Sequence, residues 1–295
     1  MNFRLTEKQL AHLRTVGEAI DNDVFPHVFQ NGLVALAAPE VASSMEQANG
    51  ERERPRGSAA GSWPRPETGP RRTPGETAPV WSGGKQATRV PVLEELYASY
   101  STQFIEGDHG LWVIVTSTPL GQDGPHVTFV IAYPYSEKGP PRAWAFWKLG
   151  GFPKFIGPRH TNFPDASICA FVPDDGTWSR ADGLVALVDL YSTWVLRHLY
   201  FEQFAQWPGQ QHGLTALYRR SEFSAAEWCG CGSGYRYGQC HQAADKLLPD
   251  EDAGDEHRRI LGSDYCCRKP PKSIMRFVRS GFRKAPLFRD VFENR

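Results

Sequence analysis

The stretch "HVTFVIAYPY", residues 126–135, has apolar side chains at every second position and ends in a Tyr-Pro pair followed by Tyr. Alternation with a period of two is typical of a β-strand, because successive side chains point to opposite faces of the sheet. The residues expected on one face are Val127, Phe129, Ile131 and Tyr133. The stretch therefore predicts a strand that packs one face against a core.

Two further apolar runs flank this strand, "GLWVIVTST" at 110–118 and "RAWAFWK" at 142–148. The connections between them, "PLGQDGP" and "SEKGPP", are short and contain Gly and Pro. Short turns join antiparallel neighbours, so we expect a three-stranded antiparallel meander. The segment before it, "PVLEELYASYSTQF" at 91–104, is predicted to be a short helix.

Two amphipathic segments predict helices that pack on this sheet. No proline interrupts the chain between Pro173 and Pro208, and an apolar stripe at helical spacing runs through it, formed by Leu184, Leu187, Val188, Tyr191, Val195 and Leu199. Residues 7–20 have the same kind of stripe, formed by Leu10, Leu13, Val16 and Ile20. An antiparallel sheet followed by packing helices predicts an α+β fold.

Composition sets the outer limits. The 295 residues carry 33 basic and 33 acidic side chains, so the formal net charge is zero and indicates no partner. Residues 40–90 are rich in Pro, Gly, Arg and Glu, which predicts a disordered linker between an N-terminal helical segment at 1–39 and a compact domain at 91–215. The chain has neither an apolar run of about 20 residues nor a signal-peptide layout, so we expect a cytoplasmic protein.

The string "EWCGCGSGYRYGQCHQ", residues 227–242, holds four soft ligands: Cys229, Cys231, Cys240 and His241. Three thiolates and one imidazole fit a tetrahedral Zn²⁺ site, and the interspersed glycines let the chain turn around a metal. Four protein ligands leave no open position, which predicts a structural zinc in a module at 222–245. The string resembles the SEC-C motif. Disulfides are the alternative, which a reducing compartment disfavours.

One cysteine stands apart from the other five, in "HTNFPDASICAF" at 160–171. A thiolate at Cys169 could attack an activated carbonyl and form a thioester. The amide of Asn162 could stabilise the resulting oxyanion, and His160 could orient the loop by hydrogen bonds rather than act as a base. A single cysteine after an isoleucine is also often a small buried hydrophobe, so both interpretations stay open.

The order of these features resembles the ubiquitin-conjugating (E2) family, whose UBC-like fold is an antiparallel β-meander flanked by helices. The resemblance covers about residues 92–207 and rests on Tyr133-Pro134, Pro140-Pro141, His160-Thr161-Asn162, Ile168-Cys169 and Trp178. It implies that Cys169 receives the C-terminal carboxyl of a partner protein as a thioester and transfers it to an acceptor. Two departures are Thr161, where the family has proline, and Ala166-Ser167, where a glycine usually precedes Ile-Cys.

A narrower resemblance lies in "DLYSTWVLRHLYFEQFAQWPGQ", residues 189–210. It is similar to divergent bacterial E2-like proteins of antiphage operons, some of which are encoded beside cGAS-like nucleotidyltransferases. This implies that the carried protein is a ubiquitin-like protein or a cGAS-like nucleotidyltransferase, and that a separate E1-like enzyme activates it. The sequence has no G-x-x-x-x-G-K-[ST] loop for nucleotide binding, which agrees with activation on another protein.

The segment 246–295 is predicted to be a basic tail. From Cys266 to its end it has nine Lys or Arg residues and two acidic residues, a net charge of +7. It could be a solvated basic helix, or it could contact nucleic acid or an acidic protein surface. Cys266 and Cys267 could be ligands of a second metal, could replace a ligand of the first, or could be an unliganded pair. Two rival functions remain, an E2-fold adaptor with an inert Cys169 and a zinc-stabilised nucleic-acid-binding protein.

Overall fold

The computed structural model describes seven segments, residues 4–36, 91–107, 109–136, 139–149, 152–171, 176–266 and 268–292. The predicted linker at 40–90 lies outside them. The described residues form a mixed α+β structure with a five-stranded antiparallel sheet. The predicted α+β class is therefore confirmed.

Eight helices are present in the described segments: α1 (Glu7–Asp21), α2 (Pro91–Ser99), α3 (Gly183–Phe204), α4 (Ala216–Glu222), α5 (Gln242–Leu247), α6 (Asp250–Leu261), α7 (Lys272–Arg279) and α8 (Arg289–Phe292). The strands are β1 (His27–Val28), β2 (Val34–Ala35), β3 (Ser101–Glu106), β4 (Gly110–Ser117), β5 (Val127–Pro134), β6 (Arg142–Leu149) and β7 (Phe152–Phe155). Over the segments that are described, no helix combines the length and the apolar character needed to cross a membrane.

The large sheet follows chain order, β3-β4-β5-β6-β7, with each strand antiparallel to the next. The three predicted strands are its centre, and β3 and β7 are additional edge strands. The predicted helix at 91–104 is too long, because α2 ends at Ser99 and the chain continues into β3. Pairing with β4, which sets Phe104 opposite Val113, makes residues 101–106 a strand.

One face of the sheet packs against α3 in the main core. All four residues predicted for one face of β5 belong to this core, together with the whole predicted stripe of α3. Helix α1 joins the same core through Leu13, Val16 and Ile20. Gly17 allows this close approach, because a Cβ atom there would lie 2.2 Å from the ring of Tyr200.

The opposite face of the sheet is also covered, and its cover comes from the predicted tail. Trp112, Ile114, Val130, Ala132, Trp144 and Phe146 form this face. Ile274, Phe277 and Val278 of α7 pack on it, followed by Phe288 and Val291. The picture of 246–295 as a solvated basic segment is thus incomplete, since the apolar side of α7 is buried and its charges point outward.

Candidate functional site

Cys169 ends a short hairpin that begins at His160. Thr161 and Ile168 form an antiparallel bridge across it. The N–H of Cys169 donates to the carbonyl of His160 at 3.1 Å. Cys169 is thus an exposed residue whose backbone is held in place by main-chain pairing.

Asn162 turns its side-chain amide back into this hairpin. Its Nδ2 donates to Ser167 Oγ at 3.2 Å and to the carbonyl of Ile168 at 3.1 Å. An amide nitrogen carries two hydrogens, so both are used within the loop. Asn162 and Cys169 therefore share one hairpin, but the amide has to leave one partner before it can donate to a substrate oxygen.

His160 contacts the interior through its ring. Its centre lies 4.1 Å from that of Trp207, and its Nε2 donates to Gln211 Oε1 at 2.9 Å. Burial, and next the charge of Arg159, hold the pKa of His160 well below its ordinary value, so the ring is neutral at pH 7. The main-chain carbonyl of His160 also accepts from Trp194 Nε1 at 2.9 Å. These contacts fit the bracing role expected from the sequence.

Gln211 joins the hairpin to the chain that leads into the cysteine cluster. Its Oε1 accepts from His160 and, at 3.1 Å, from Arg159 Nη2. Its Nε2 donates to the carbonyl of Trp228 at 2.8 Å. Arg159 is ion-paired with Glu227, and these side chains are 5% and 0% exposed. Losing one member of such a pair would leave a buried charge uncompensated, so the Arg159–Glu227 pair is costly to break. Together with the hydrogen bonds of Gln211, it holds the hairpin and residue 228 together.

The structure brings together the side chains of the four predicted metal ligands, Cys229, Cys231, Cys240 and His241. Their ligand atoms all lie within 4.8 Å of one another. An antiparallel bridge between Trp228 and Arg236 and a 3₁₀ turn at Tyr237–Gln239 bring the two ends of the string together. This cysteine–histidine cluster could bind a metal ion.

The distances within the cluster identify the histidine atom that faces it. His241 Nδ1 lies 3.2 Å from Cys229 Sγ and 3.1 Å from Cys240 Sγ. The Sγ atoms of Cys231 and Cys240 are 3.6 Å apart. Ser233, which the sequence did not indicate, has its Oγ 3.1 Å from Cys231 Sγ and 3.3 Å from Cys240 Sγ. Its hydroxyl can therefore hydrogen-bond these two sulfurs.

Gly230 lies between Cys229 and Cys231 and contacts the segment that carries Gln211. Its φ is +72°, and a Cβ atom there would lie 2.5 Å from the carbonyl oxygen of Gln211 and 2.5 Å from the nitrogen of Gly213. Its own carbonyl accepts from the N–H of Gly213 at 3.1 Å. Both the left-handed backbone and the close contact require glycine here.

Aromatic rings fill the space between the hairpin and the cluster, and they are Phe163, Tyr218, Phe223, Tyr237 and Tyr265. Arg268, which is 3% exposed, enters this group from the segment between α6 and α7. Its Nη1 donates to the carbonyl of Thr161 at 2.8 Å, and its guanidinium pairs with Glu222. From the sequence, Arg268 was only one of the basic residues of the predicted tail. Its contact with Thr161 could not be predicted, because the two residues are 107 positions apart and no local pattern indicates such a contact.

The cysteine–histidine cluster is the one group of metal-type ligands found within the described segments. Cys266 is exposed and lies outside it, and Cys267 is not among the described residues. No family model, no curated protein and no solved structure matches this chain.

Proposed function

We propose that the chain is an acyl carrier of the ubiquitin-conjugating type, with a UBC-like fold and Cys169 as the nucleophile. The observation that carries the proposal is the exposed cysteine on a hairpin fixed by main-chain pairing. A thiol that transfers a protein has to meet a donor and then an acceptor, so it must be both accessible and held in place. The element order, α2, a meander, the cysteine segment and then the long α3, supports the same assignment.

In the proposed reaction the Cys169 thiolate attacks the carbonyl carbon of an upstream thioester. A C–S bond to Cys169 forms, the upstream thiolate leaves, and no nucleotide is consumed. An acceptor amine then attacks the same carbonyl, loses a proton and releases the Cys169 thiolate. The upstream thioester requires an E1-like activating enzyme, and the carried C-terminus belongs to a ubiquitin-like protein or a cGAS-like nucleotidyltransferase in an antiphage system.

Asn162 and His160 have different roles in this proposal. The Asn162 amide exchanges one of its loop partners for the oxyanion, which exists only in the transition state. His160 remains neutral and holds the hairpin through Gln211, so it neither gives nor takes the proton.

We assign a structural Zn²⁺ to the cysteine–histidine cluster. Zn–S bonds of about 2.3 Å and Zn–N bonds of about 2.0–2.1 Å put tetrahedral ligand atoms roughly 3.5–3.8 Å apart. The S–S separation of 3.6 Å falls in this range, and the N–S separations of 3.1 and 3.2 Å are a few tenths of an ångström shorter. Four protein ligands leave no position for a substrate, so the metal would fold residues 222–245. A cytoplasmic location, where thiols stay reduced, suits both this site and Cys169.

The direct test uses the full-length chain and a fluorescent peptide with a C-terminal thioester. Intact-mass measurement should find one peptide bound per chain, released by excess thiol, and peptide mapping should place it on Cys169. Cys169→Ala should abolish the adduct, whereas Cys266→Ala, which removes another exposed cysteine, should keep it. An adduct that survives in Cys169→Ala would overturn the proposal, and a correctly folded wild type with no adduct would favour the non-enzymatic adaptor.

The outward face of the C-terminal region favours nucleic-acid binding as a second candidate function. Its exposed cations are Lys269, Lys272, Arg276, Arg279, Arg283, Lys284 and Arg289. The apolar side of α7 is buried, so these charges are held outward and could neutralise phosphates. Binding to a random 20-base-pair duplex should then weaken steeply between about 50 and 200 mM salt. Duplex affinity unchanged in an Arg276→Glu/Arg279→Glu variant would exclude this candidate.

A further inference from the structure

Arg268 is a buried cation with its contacts on the Cys169 hairpin. Besides its bond to the carbonyl of Thr161, its guanidinium lies 4.4 Å from the ring centre of Phe163. Thr161 is bridged to Ile168, the residue before Cys169. The guanidinium is therefore bound to one strand of the hairpin, directly opposite the strand that ends in the thiol.

Cys169 and Arg268 lie near enough to interact electrostatically. Burial lowers the pKa of Arg268, and its interactions with Tyr218 and then with an ionised Cys169 raise it again in part. Burial raises the pKa of Tyr218, Arg268 lowers it, and Cys169 raises it further. Electrostatic interactions are reciprocal, so the sulfur experiences the guanidinium as well.

The other titratable groups around the hairpin do not replace this cation. Two other ion pairs lie around the hairpin, Arg159–Glu227 and Arg142–Asp165. Arg268 is itself paired with Glu222. Four groups are neutral at pH 7, because burial lowers the pKa of His160, His198 and His257 and raises that of Tyr218. Tyr218 and Arg268 are described groups whose pKa responds to Cys169, and of these Arg268 carries a charge at pH 7.

We propose that Arg268 is a positioning residue for the Cys169 thiolate: it fixes the hairpin at Thr161 and its positive charge favours the ionised sulfur. The inference rests on the proposed function of Cys169 as a nucleophile. It also gives the C-terminal region a part in that site, since the Arg268 side chain links this region to Thr161. A thiolate favoured by a neighbouring cation reacts at neutral pH, where an ordinary cysteine is mostly protonated.

The test is the pH dependence of Cys169 alkylation by iodoacetamide in the full-length chain, followed by peptide mapping. No carried protein is needed. Arg268→Gln should move the midpoint of the rate profile upward by about one pH unit, which lowers the rate at pH 7 roughly tenfold. Arg268→Lys keeps the charge and should recover part of the shift. Arg236→Gln, which breaks the Arg236–Asp21 ion pair, should leave the midpoint in place.

Glu222→Gln provides a test that does not remove the buried arginine. It leaves the Arg268 charge without its carboxylate partner, so the midpoint should move downward. An unmoved midpoint in folded Arg268→Gln, or no downward movement in folded Glu222→Gln, would overturn the inference. The outcomes also separate the two proposals. A midpoint that depends on Arg268 without any peptide adduct overturns the carrier function alone, and adduct formation with an unmoved midpoint overturns only the role of Arg268.

Discussion

His160 Nε2 donates to Gln211 Oε1 at 2.9 Å, and this bond joins the hairpin of Cys169 to the segment on which the cysteine–histidine cluster is built. Gln211 makes the connection because its Nε2 donates to the carbonyl of Trp228, the residue before the first cysteine of the cluster. The candidate nucleophile and the candidate metal site are thus parts of one packed unit. Disturbance of either should be measurable at the other.

Gln211→Leu should loosen the Cys169 hairpin. The change removes the acceptor of His160 Nε2 and one of the acceptors of Arg159, which keeps its pairing with Glu227, and a buried group left unsatisfied costs about 1–3 kcal/mol. Hydrogen–deuterium exchange should accelerate at residues 160–169. The matched control is Gln210→Leu at the exposed neighbouring position, where exchange should stay at the wild-type rate. Equal protection in both variants would show that the bond is not needed.

Purified protein should contain about one zinc per chain, and Cys231→Ser should lose it. Without the metal, residues 222–245 should lose protection from hydrogen–deuterium exchange. The five-stranded sheet should remain protected, because α3 and α7 cover it independently of the cluster. Elemental analysis beside exchange measurements makes the comparison, with Cys266→Ser as the control for removal of an exposed thiol. Full zinc content in Cys231→Ser would contradict the assignment.

Asn162→Ala should slow thioester transfer by tenfold or more, since an oxyanion donor acts mainly on charge that develops in the transition state. It should also cost about 1 kcal/mol of stability, because the amide bonds Ser167 and Ile168 within the hairpin. Ser167→Ala separates the effects, as it weakens the loop and leaves the amide in place. Single-turnover rates that fall equally in both variants would make Asn162 a structural residue.

Asp189→Asn should change how stability depends on pH. Burial raises the pKa of Asp189 to about 7, Tyr100 lowers it by hydrogen bonding, and Glu95 raises it. A carboxyl whose pKa is raised by folding contributes stability that is fully present below its unfolded pKa of about 3.9 and lost as pH rises through 7.

The wild type should therefore lose stability relative to Asp189→Asn between pH 5 and 7, by about 1 kcal/mol per pH unit. Urea unfolding at several pH values measures the difference between the two free energies of unfolding. Asp252→Asn, a change at an exposed carboxyl, is the control. A difference that stays constant from pH 5 to 8 would show that Asp189 does not titrate in this range.

Phe277→Ala should destabilise the sheet domain, by about 3–5 kcal/mol, because Phe277 is 1% exposed and packs on Trp112. Arg276→Ala, one position earlier and exposed, should change the free energy of unfolding by less than about 0.5 kcal/mol. Chemical denaturation of both variants makes the measurement. If Phe277→Ala were as stable as Arg276→Ala, α7 would not be part of the fold.

Much of the fold follows from local sequence patterns. Strands β4, β5 and β6 and the apolar stripe of α3 could be predicted, because each has a hydrophobic repeat of period 2 or 3.6 within one continuous segment. The ligands of the cluster could be predicted for a related reason. All four fall within 13 consecutive residues, 229–241, so short-range chain geometry suffices to bring them together.

The second face of the sheet was decided by tertiary structure, although the sequence held a sign of it. Val130 and Ala132 are as apolar as the residues between which they alternate, which indicates a strand buried on both sides. The local sequence could not show that α7 covers the second face, since α7 follows β5 by more than a hundred residues. Strand β3 was missed because pairing with β4, rather than its own propensity, defines it.

The surroundings of Cys169 depend on tertiary structure throughout. The sequence by itself identified the cysteine, Asn162 and His160, and it determined that they lie on one short loop. It did not reveal that Gln211 and Arg268 hold that loop, because a contact across 51 or 107 positions leaves no periodic trace. Such contacts form only when burial in a shared core offsets the entropy of closing long loops, and that depends on the whole chain at once.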